Sequence, residues 1–317
     1  MSISFRPLTN FKRIHIGLAI FISLFIVLVI TSRTGAATPG LSITMTPSST
    51  EIHAAPGSSA EEDFTIVNQG TTSYPVLLTV APYRVEGTAY DPQFTLLPGV
   101  TDASSWIHFT DTTSPTLGIN QSATLNYTLD VPADTAPGGY YAVIFAETNP
   151  TASDSGITPH NRVGNIIYIT VDGPVESKGT LESPLKDIPA FIWGSQADLG
   201  LLVSNTGGVH FITKAHMTVT SLLGRTLFTG EFERYVLPQT QRLVSATWKN
   251  LPPIGIYKLD RNATIAGSLQ KLPTKYVIVV QPWVGAVVLA IIALVIILGV
   301  RLRRTKKPTQ SVEPRDD

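Results

Sequence analysis

Hydrophobic and polar residues alternate with a period of two along much of this chain. In ATLNYTLDV (123–131), Leu125, Tyr127, Leu129 and Val131 alternate with Asn126, Thr128 and Asp130. That pattern predicts a strand with one dry and one wet face. YYAVIFA (140–146) and NIIYITV (165–171) are apolar on both faces, as central strands of a sandwich would be. Clusters of Gly, Pro, Asn, Asp and Ser separate these runs, and no convincing amphipathic helix pattern occurs between Thr38 and Gln281. Two uninterrupted apolar runs stand apart, IHIGLAIFISLFIVLVI (14–30) and WVGAVVLAIIALVIILGV (283–300).

The first run follows Arg6, Lys12 and Arg13 and precedes the small residues Gly35, Ala36 and Ala37, the layout of a secretory signal or a signal anchor over 1–37. The second run spans roughly 27 Å as a helix, about one hydrocarbon thickness. Trp283 stands where an interfacial aromatic belongs. RLRRTKK (301–307), with five basic residues in seven, predicts a cytoplasmic end. Residues 38 to about 280 are thereby expected outside the cell, on a single-pass anchor once the signal is cleaved. LPTKY (272–276) approaches a sortase sorting signal, but Lys275 and Tyr276 stand where Thr and Gly are needed, so the helix is expected to be a permanent anchor.

Two local patterns recur. FTIVNQG (64–70) and LLVSNTG (201–207) each end a strand in Asn-x-Gly, expected as a turn because both residues tolerate positive φ. Pro-x-Gly-x-Tyr follows in each half, as Pro137, Gly139, Tyr141 and as Pro253, Gly255, Tyr257. This resembles the corner before strand F of an immunoglobulin-like sandwich, where a Tyr hydroxyl bonds back to the backbone, and Tyr141 and Tyr257 are the candidates for that role. The first half carries about 21 additional residues between the two patterns, close to the length of the irregular stretch 84–105. The prediction is an all-β outer region of two tandem immunoglobulin-like β-sandwiches, 38–173 and 174–280. A transmembrane helix (281–300) and a basic cytoplasmic tail (301–317) follow.

Charge and composition narrow the chemistry. Thr38–Gly173 holds 2 basic and 13 acidic residues, a balance of −11, whereas Pro174–Pro282 holds 11 basic and 7 acidic, a balance of +4. The acidic excess is expected to keep a surface module soluble, and the basic excess near the membrane suits anionic lipid or wall polymer. There is no cysteine, so disulfides, Cys-based metal sites and thiol nucleophiles are excluded. No Gly-x-Ser-x-Gly elbow occurs. Ser183-Pro184-Leu185-Lys186 fits Ser-x-x-Lys without its companion motifs, and Pro184 opposes the helix such a serine opens. His210 and His216 are expected to be exposed strand histidines, roughly 20 Å apart and too far to share a metal. Glu61-Glu62-Asp63 lacks a calcium loop and reads as a solvated strand start. Phosphate-cradling loops and nucleic-acid modules are absent. Asn120, Asn126 and Asn262 open glycosylation sequons that matter only in a host that glycosylates them. No cofactor is expected.

At VPADTAPGGYYAVIFAE (131–147), preceded by SSWIHF (104–109) and the early Asn68-Gln69-Gly70, the chain resembles the WxL-interacting proteins of bacterial surfaces. The order of parts matches throughout, but residue-level similarity is confined largely to 43–172. The resemblance implies a peptidoglycan-binding-like first domain, a second immunoglobulin-like domain that contacts a partner protein, and a membrane anchor. It implies no catalytic residues.

Two surfaces are candidates for binding. One is the 84–105 stretch with its aromatic neighbours Tyr83, Tyr90, Phe94 and Trp106, which suit sugar rings or else cap the core. The other is the long loop 147–164. The expectation is a non-catalytic cell-surface binding or scaffolding protein whose partner is a cell-wall glycan or a surface protein. An accessory subunit of a membrane secretion or transport complex is the alternative.

Overall fold

A computed structural model of the protein describes residues 41–97, 101–148 and 161–305. The segment read as a signal (1–37), most of the basic tail and residues 149–160 of the candidate loop lie outside this range. The first module contains β1 (Ile43–Thr46), β2 (Ser49–Ala54), β3 (Ser59–Asn68), β4 (Tyr74–Pro82), β5 (Arg84–Glu86) and β6 (Asp91–Gln93). It continues through β7 (Ile107–Phe109), β8 (Thr116–Leu117), β9 (Ser122–Asp130), β10 (Gly138–Thr148) and β11 (Arg162–Val171). One sheet has the order β1-β3-β9-β7 and faces a second of order β2-β11-β10-β4-β8. This is the two-layer division of an immunoglobulin-like sandwich.

The second module comprises β12 (Gly179–Glu182), β13 (Phe191–Trp193), β14 (Gln196–Asn205), β15 (Phe211–Ser221) and β16 (Thr226–Val236). Then come β17 (Gln241–Lys249), β18 (Ile254–Ile265), β19 (Ser268–Lys271) and β20 (Lys275–Val280), before the helix α1 (Pro282–Thr305). Its sheets run β12-β14-β17 and β13-β20-β18-β15-β16, with β19 folded back on β18. The fold is thus all-β, two immunoglobulin-like sandwiches followed by one apolar helix.

The plan is repeated strand for strand over most of each module. β2 runs parallel to β11 as β13 does to β20, and every other shared pairing is antiparallel. The modules part between the fourth and fifth shared strands, after β4 and β15 and before β9 and β17. There the first places the β5–β6 hairpin, a 3-10 turn at Ser104–Trp106 and two short strands, where the second has the single long β16. The difference is a rerouting of the chain as well as an insertion.

The alternation read from ATLNYTLDV is realised in β9: Leu125, Tyr127 and Leu129 are buried and Asn126 is exposed. The doubly apolar β10 has a different cause from a central position alone. Ala142, Ile144 and Ala146 enter the first core, while Tyr141, Val143 and Phe145 point out of the sandwich into a second apolar cluster that is continuous with the core of the second module. The β5–β6 hairpin roofs that outer face: Phe94 sits edge-on to Phe145 at 4.8 Å, and Arg162 lies 3.4 Å above the same ring. Inside the second module the buried Arg261 is held by Asp187 at 2.6 and 3.1 Å and donates to the Gly200 carbonyl at 2.6 Å. Lys275 reaches Asp187 at 2.9 Å. Burial alone would raise the Asp187 pKa, but the two cations outweigh it and hold it below the usual carboxylate value.

Candidate functional site: the joint between the sandwiches

One copy of each repeated pattern meets the other at the boundary between the modules, the Asn205 turn against the Gly139–Tyr141 corner. Asn68 and Asn205 are buried and make equivalent bonds. Asn68 Oδ1 accepts from Gly70 N at 2.8 Å, and Asn205 Oδ1 accepts from Gly207 N at 2.9 Å. Each amide group then donates to the carbonyl four residues on and to a distant one, Leu117 or Gly118 in the first module and Val236 in the second. None of these Asn or Gly residues has positive φ. The expected reason for the pattern is therefore replaced: Asn is needed as a buried donor and acceptor that locks the turn.

The turn at Asn205 reaches beyond its own module. Gly208 N donates to Glu176 O in the linker at 3.0 Å, and Gly208 O accepts from Gly139 N of the first module's corner, also at 3.0 Å. At that corner the Tyr141 ring lies over Gly139, where a Cβ would collide with its hydroxyl. Tyr257 covers Gly255 in the same way. Gly and Tyr two apart share one face of the strand, so glycine makes room for the ring. Tyr257 donates back to Ile254 O at 3.3 Å, as expected of a corner tyrosine. Tyr141 does not. Its hydroxyl meets His210 Nδ1 at 3.2 Å, and the backbone bond is made instead by Tyr140, to Ala136 O at 3.0 Å.

His210, expected to be exposed, is buried at the joint with 1% of its side chain accessible. It lies just before β15 and packs against Tyr141, Tyr168 and Tyr235. Its Nε2 faces Glu51 Oε1 at 3.5 Å without a proper hydrogen bond. Burial lowers the His210 pKa against the opposing pull of Glu51, which favours the neutral ring, and a neutral Nδ1 shares one hydrogen bond with the Tyr141 hydroxyl. Tyr235 stacks on Tyr168 at 4.0 Å and donates to Glu51 Oε2 at 3.3 Å.

The aromatic residues expected to form a ligand surface are turned inward. Tyr90 is buried, accepts from Leu237 N at 2.7 Å, bonds the Thr240 hydroxyl, and lies 4.2 Å beneath the Arg242 guanidinium. Burial raises its pKa. Tyr83 is buried edge-on to Tyr168 at 6.2 Å. Phe94 is half-buried on Phe145, and Trp106 is buried in the first core, 4.7 Å from the Tyr140 ring. For Tyr83, Tyr90 and Phe94 the physical cause is the outer face of β10 and β11, whose apolar residues these rings remove from water, whereas Trp106 belongs to the first core. Thr88 O accepts from Leu243 N at 2.8 Å, tying the hairpin tip to β17. Sequence reading missed Glu51, Tyr168, Tyr235 and Arg242. Of these only Tyr168 carried a signal, a large apolar ring at a position that alternation assigns to the wet face.

Away from the joint, an open cavity of about 530 Å³ lies on the first sheet, lined by Glu61, Glu62, Asp63, Thr110, Asn126 and Tyr127. Asp111 Oδ2 accepts from Asn126 N and Nδ2 at 2.7 and 3.0 Å beside it. Among the described residues no three His, Asp or Glu side chains are grouped to hold a metal ion. Ser183–Lys186 lies between β12 and β13 without helical structure, with Leu185 fully exposed.

No protein-family model matches the sequence, and no curated protein matches it. Among solved structures the chain is similar to the class 5 fimbriae chaperone CfaA, at 9% identity and a TM-score of 0.38, over 75% of this chain and 99% of that one. The SafB chaperone of Salmonella enterica, in complex with SafA pilin, gives 12% identity and 0.38, over 76% and 98%. The PapD-like domain 7 of human CEP192 gives 16% and 0.31, over 44% and 92%. At these values the likeness is one of β-sandwich architecture, and the activity of those proteins does not transfer.

Proposed function

We propose that this chain is a membrane-anchored, non-catalytic surface protein whose two sandwiches act as one rigid arm presenting the first module to a partner. The observation that carries this reading is the joint. Its aromatic and titratable groups are enclosed and bonded to one another across the boundary, an arrangement that holds shape, and the cleft left there between Tyr83, Tyr141, Leu237 and Thr240 has only about 100 Å³. Within α1 the 20-residue stretch Pro282–Arg301, of mean hydropathy 3.0 and with none of its residues buried in the protein, follows the second module and suits the anchor.

With the aromatic surface turned inward, the polar, acidic face around Glu61, Glu62 and Asp63 is the favoured contact for a cell-wall polymer or a basic surface protein. The full chain in nanodiscs is expected to co-sediment with cell-wall sacculi or to capture a defined surface protein. The Glu61→Gln/Glu62→Gln/Asp63→Asn variant is expected to lose that binding while melting at the same temperature. Binding that is unchanged in the variant removes this face from the assignment. Turnover of a wall glycan by the purified protein contradicts the non-catalytic reading itself.

A further inference from the structure

The second module carries an exposed apolar end beside the root of the helix. Its outer sheet face is ordered in rows by the strand register. Trp193 and Ile254 both pair with Val280, two residues before α1 begins. In the next row Phe191 and Ile256 both pair with Ile278. Trp193 is 56% exposed, and Phe191, Ile254, Ile256 and Ile278 are exposed as well. The row above pairs Tyr276 with Lys258. Beyond it Lys258 bridges to Asp260 at 2.9 Å, and Thr274 donates to Asp260 at 2.6 Å.

The β15–β16 hairpin points the same way. Ser221 pairs with Tyr257, so Leu222 and Leu223 continue past it toward the level of Ile256 and Ile254. Leu223 is 97% exposed. The helix is not loosely tethered to this end. Gln281 N donates to Pro253 O at 2.8 Å, and Trp283 Nε1 donates to Gln281 Oε1 at 2.7 Å. The Trp193 indole lies against the helix at Gly285, where a Cβ would collide with it.

These features form a gradient along one direction: apolar rings at the helix root, then Tyr beside Lys, then charged pairs. Strand rows of one facing are about 7 Å apart, and the headgroup layer of a leaflet is about 5–7 Å thick. A protein docking patch has no reason to be graded in register with a membrane helix. Aromatic rings at the boundary with a lysine above them are what the water–lipid interface selects.

We propose that the helix-proximal end of the second module is seated in the outer headgroup layer. Trp193, Phe191, Ile254 and the Leu222–Leu223 tip enter the lipid, so that the arm stands at a fixed tilt. This rests on α1 spanning the membrane, and the experiment separates the two claims. Because the chain has no cysteine, single environment-sensitive probes can be attached to Leu223→Cys, Ile256→Cys, Leu269→Cys and Leu289→Cys in the full chain. The labelled protein is reconstituted in phosphatidylcholine/phosphatidylglycerol vesicles carrying headgroup or acyl-chain nitroxides. Leu269 pairs with Thr264 at the far end of β18, about 33 Å from Ile254 along the strand, and serves as the dry-land reference.

The expected result is blue-shifted emission and several-fold stronger headgroup quenching at positions 223 and 256 than at 269, with acyl-chain quenching at 289. Equal, weak quenching at 223, 256 and 269 with quenching retained at 289 overturns the seating while leaving the anchor intact. It is also the result expected if a protein partner covers this face. Loss of quenching at 289 overturns the anchor and the seating together.

Discussion

Asn205 shows how much one side chain can hold in this fold. Its Oδ1 fixes Gly207 N, and its Nδ2 satisfies the buried carbonyls of Val209 and Val236. Asn205→Ala leaves those groups unpaired in a dry site, and a loss of about 3 kcal/mol is expected. Asn205→Asp is expected to be no better, because it keeps the acceptor but removes both donors and adds a charge against two carbonyls. Denaturant unfolding of the two variants checks this, and a destabilisation within error of wild type for either contradicts the role. Asn68 makes the same bonds in the first module, so Asn68→Ala is expected to act in parallel. The Asn-x-Gly repeat was legible in the sequence, but its cause was not. A period-two pattern reports which face is dry, whereas the bonds of a buried amide depend on carbonyls 31 and 49 residues away.

At the scale of elements, the corner before β10 and the corner before β18 share a sequence and a ring-over-glycine packing, yet each faces a different neighbour. The β10 corner meets the second module through Gly139 and Tyr141, whereas the β18 corner meets the helix root through Pro253. Gly255→Ala is expected to destabilise the second module by about 1–3 kcal/mol, as overpacking does. Gly139→Ala is expected to cost a similar amount and also to weaken the Gly139–Gly208 bond, so that the modules move more freely against each other. Hydrogen exchange distinguishes the two: the β10 substitution is expected to expose the 205–210 turn, and the β18 substitution is not. If both leave that turn equally protected, the first corner has no part in the joint. The strands themselves were readable, since alternation in β9 and the repeated corner gave the class of fold. The roofing of β10 was not. A hairpin that folds onto the outside of its own sandwich leaves the same apolar signature as a strand in the middle of one.

The whole molecule is two sandwiches made into one body by a joint with a titratable centre, and that centre sets the condition under which the arm is rigid. His210 is neutral because burial disfavours its charged form, and Glu51 at 3.5 Å offsets only part of that cost. Its folded-state pKa lies below the ordinary value of 6.5, so near that pH the unfolded or opened form binds more protons than the closed one. Stability then rises with pH across the interval between the two values. The contribution of His210 to the joint is complete above pH 6.5 and is lost as pH falls from there through the depressed value. Opening, rather than global unfolding, is expected first, because Tyr141 and Tyr168 pack on the imidazole from across the boundary, beside Tyr235 of its own module, while the first module keeps a separate core. With no native cysteine, spin labels at Ser122→Cys and Leu269→Cys report the distance between modules directly. A narrow distribution is expected at about pH 7.5, broadening as the pH falls below the ordinary histidine range. His210→Gln keeps an acceptor for the Tyr141 hydroxyl but cannot take up a proton, so its distribution is expected to hold one width throughout. A width that does not change with pH in the wild type, or that changes equally in His210→Gln, would show that the joint is held by its tyrosine packing alone.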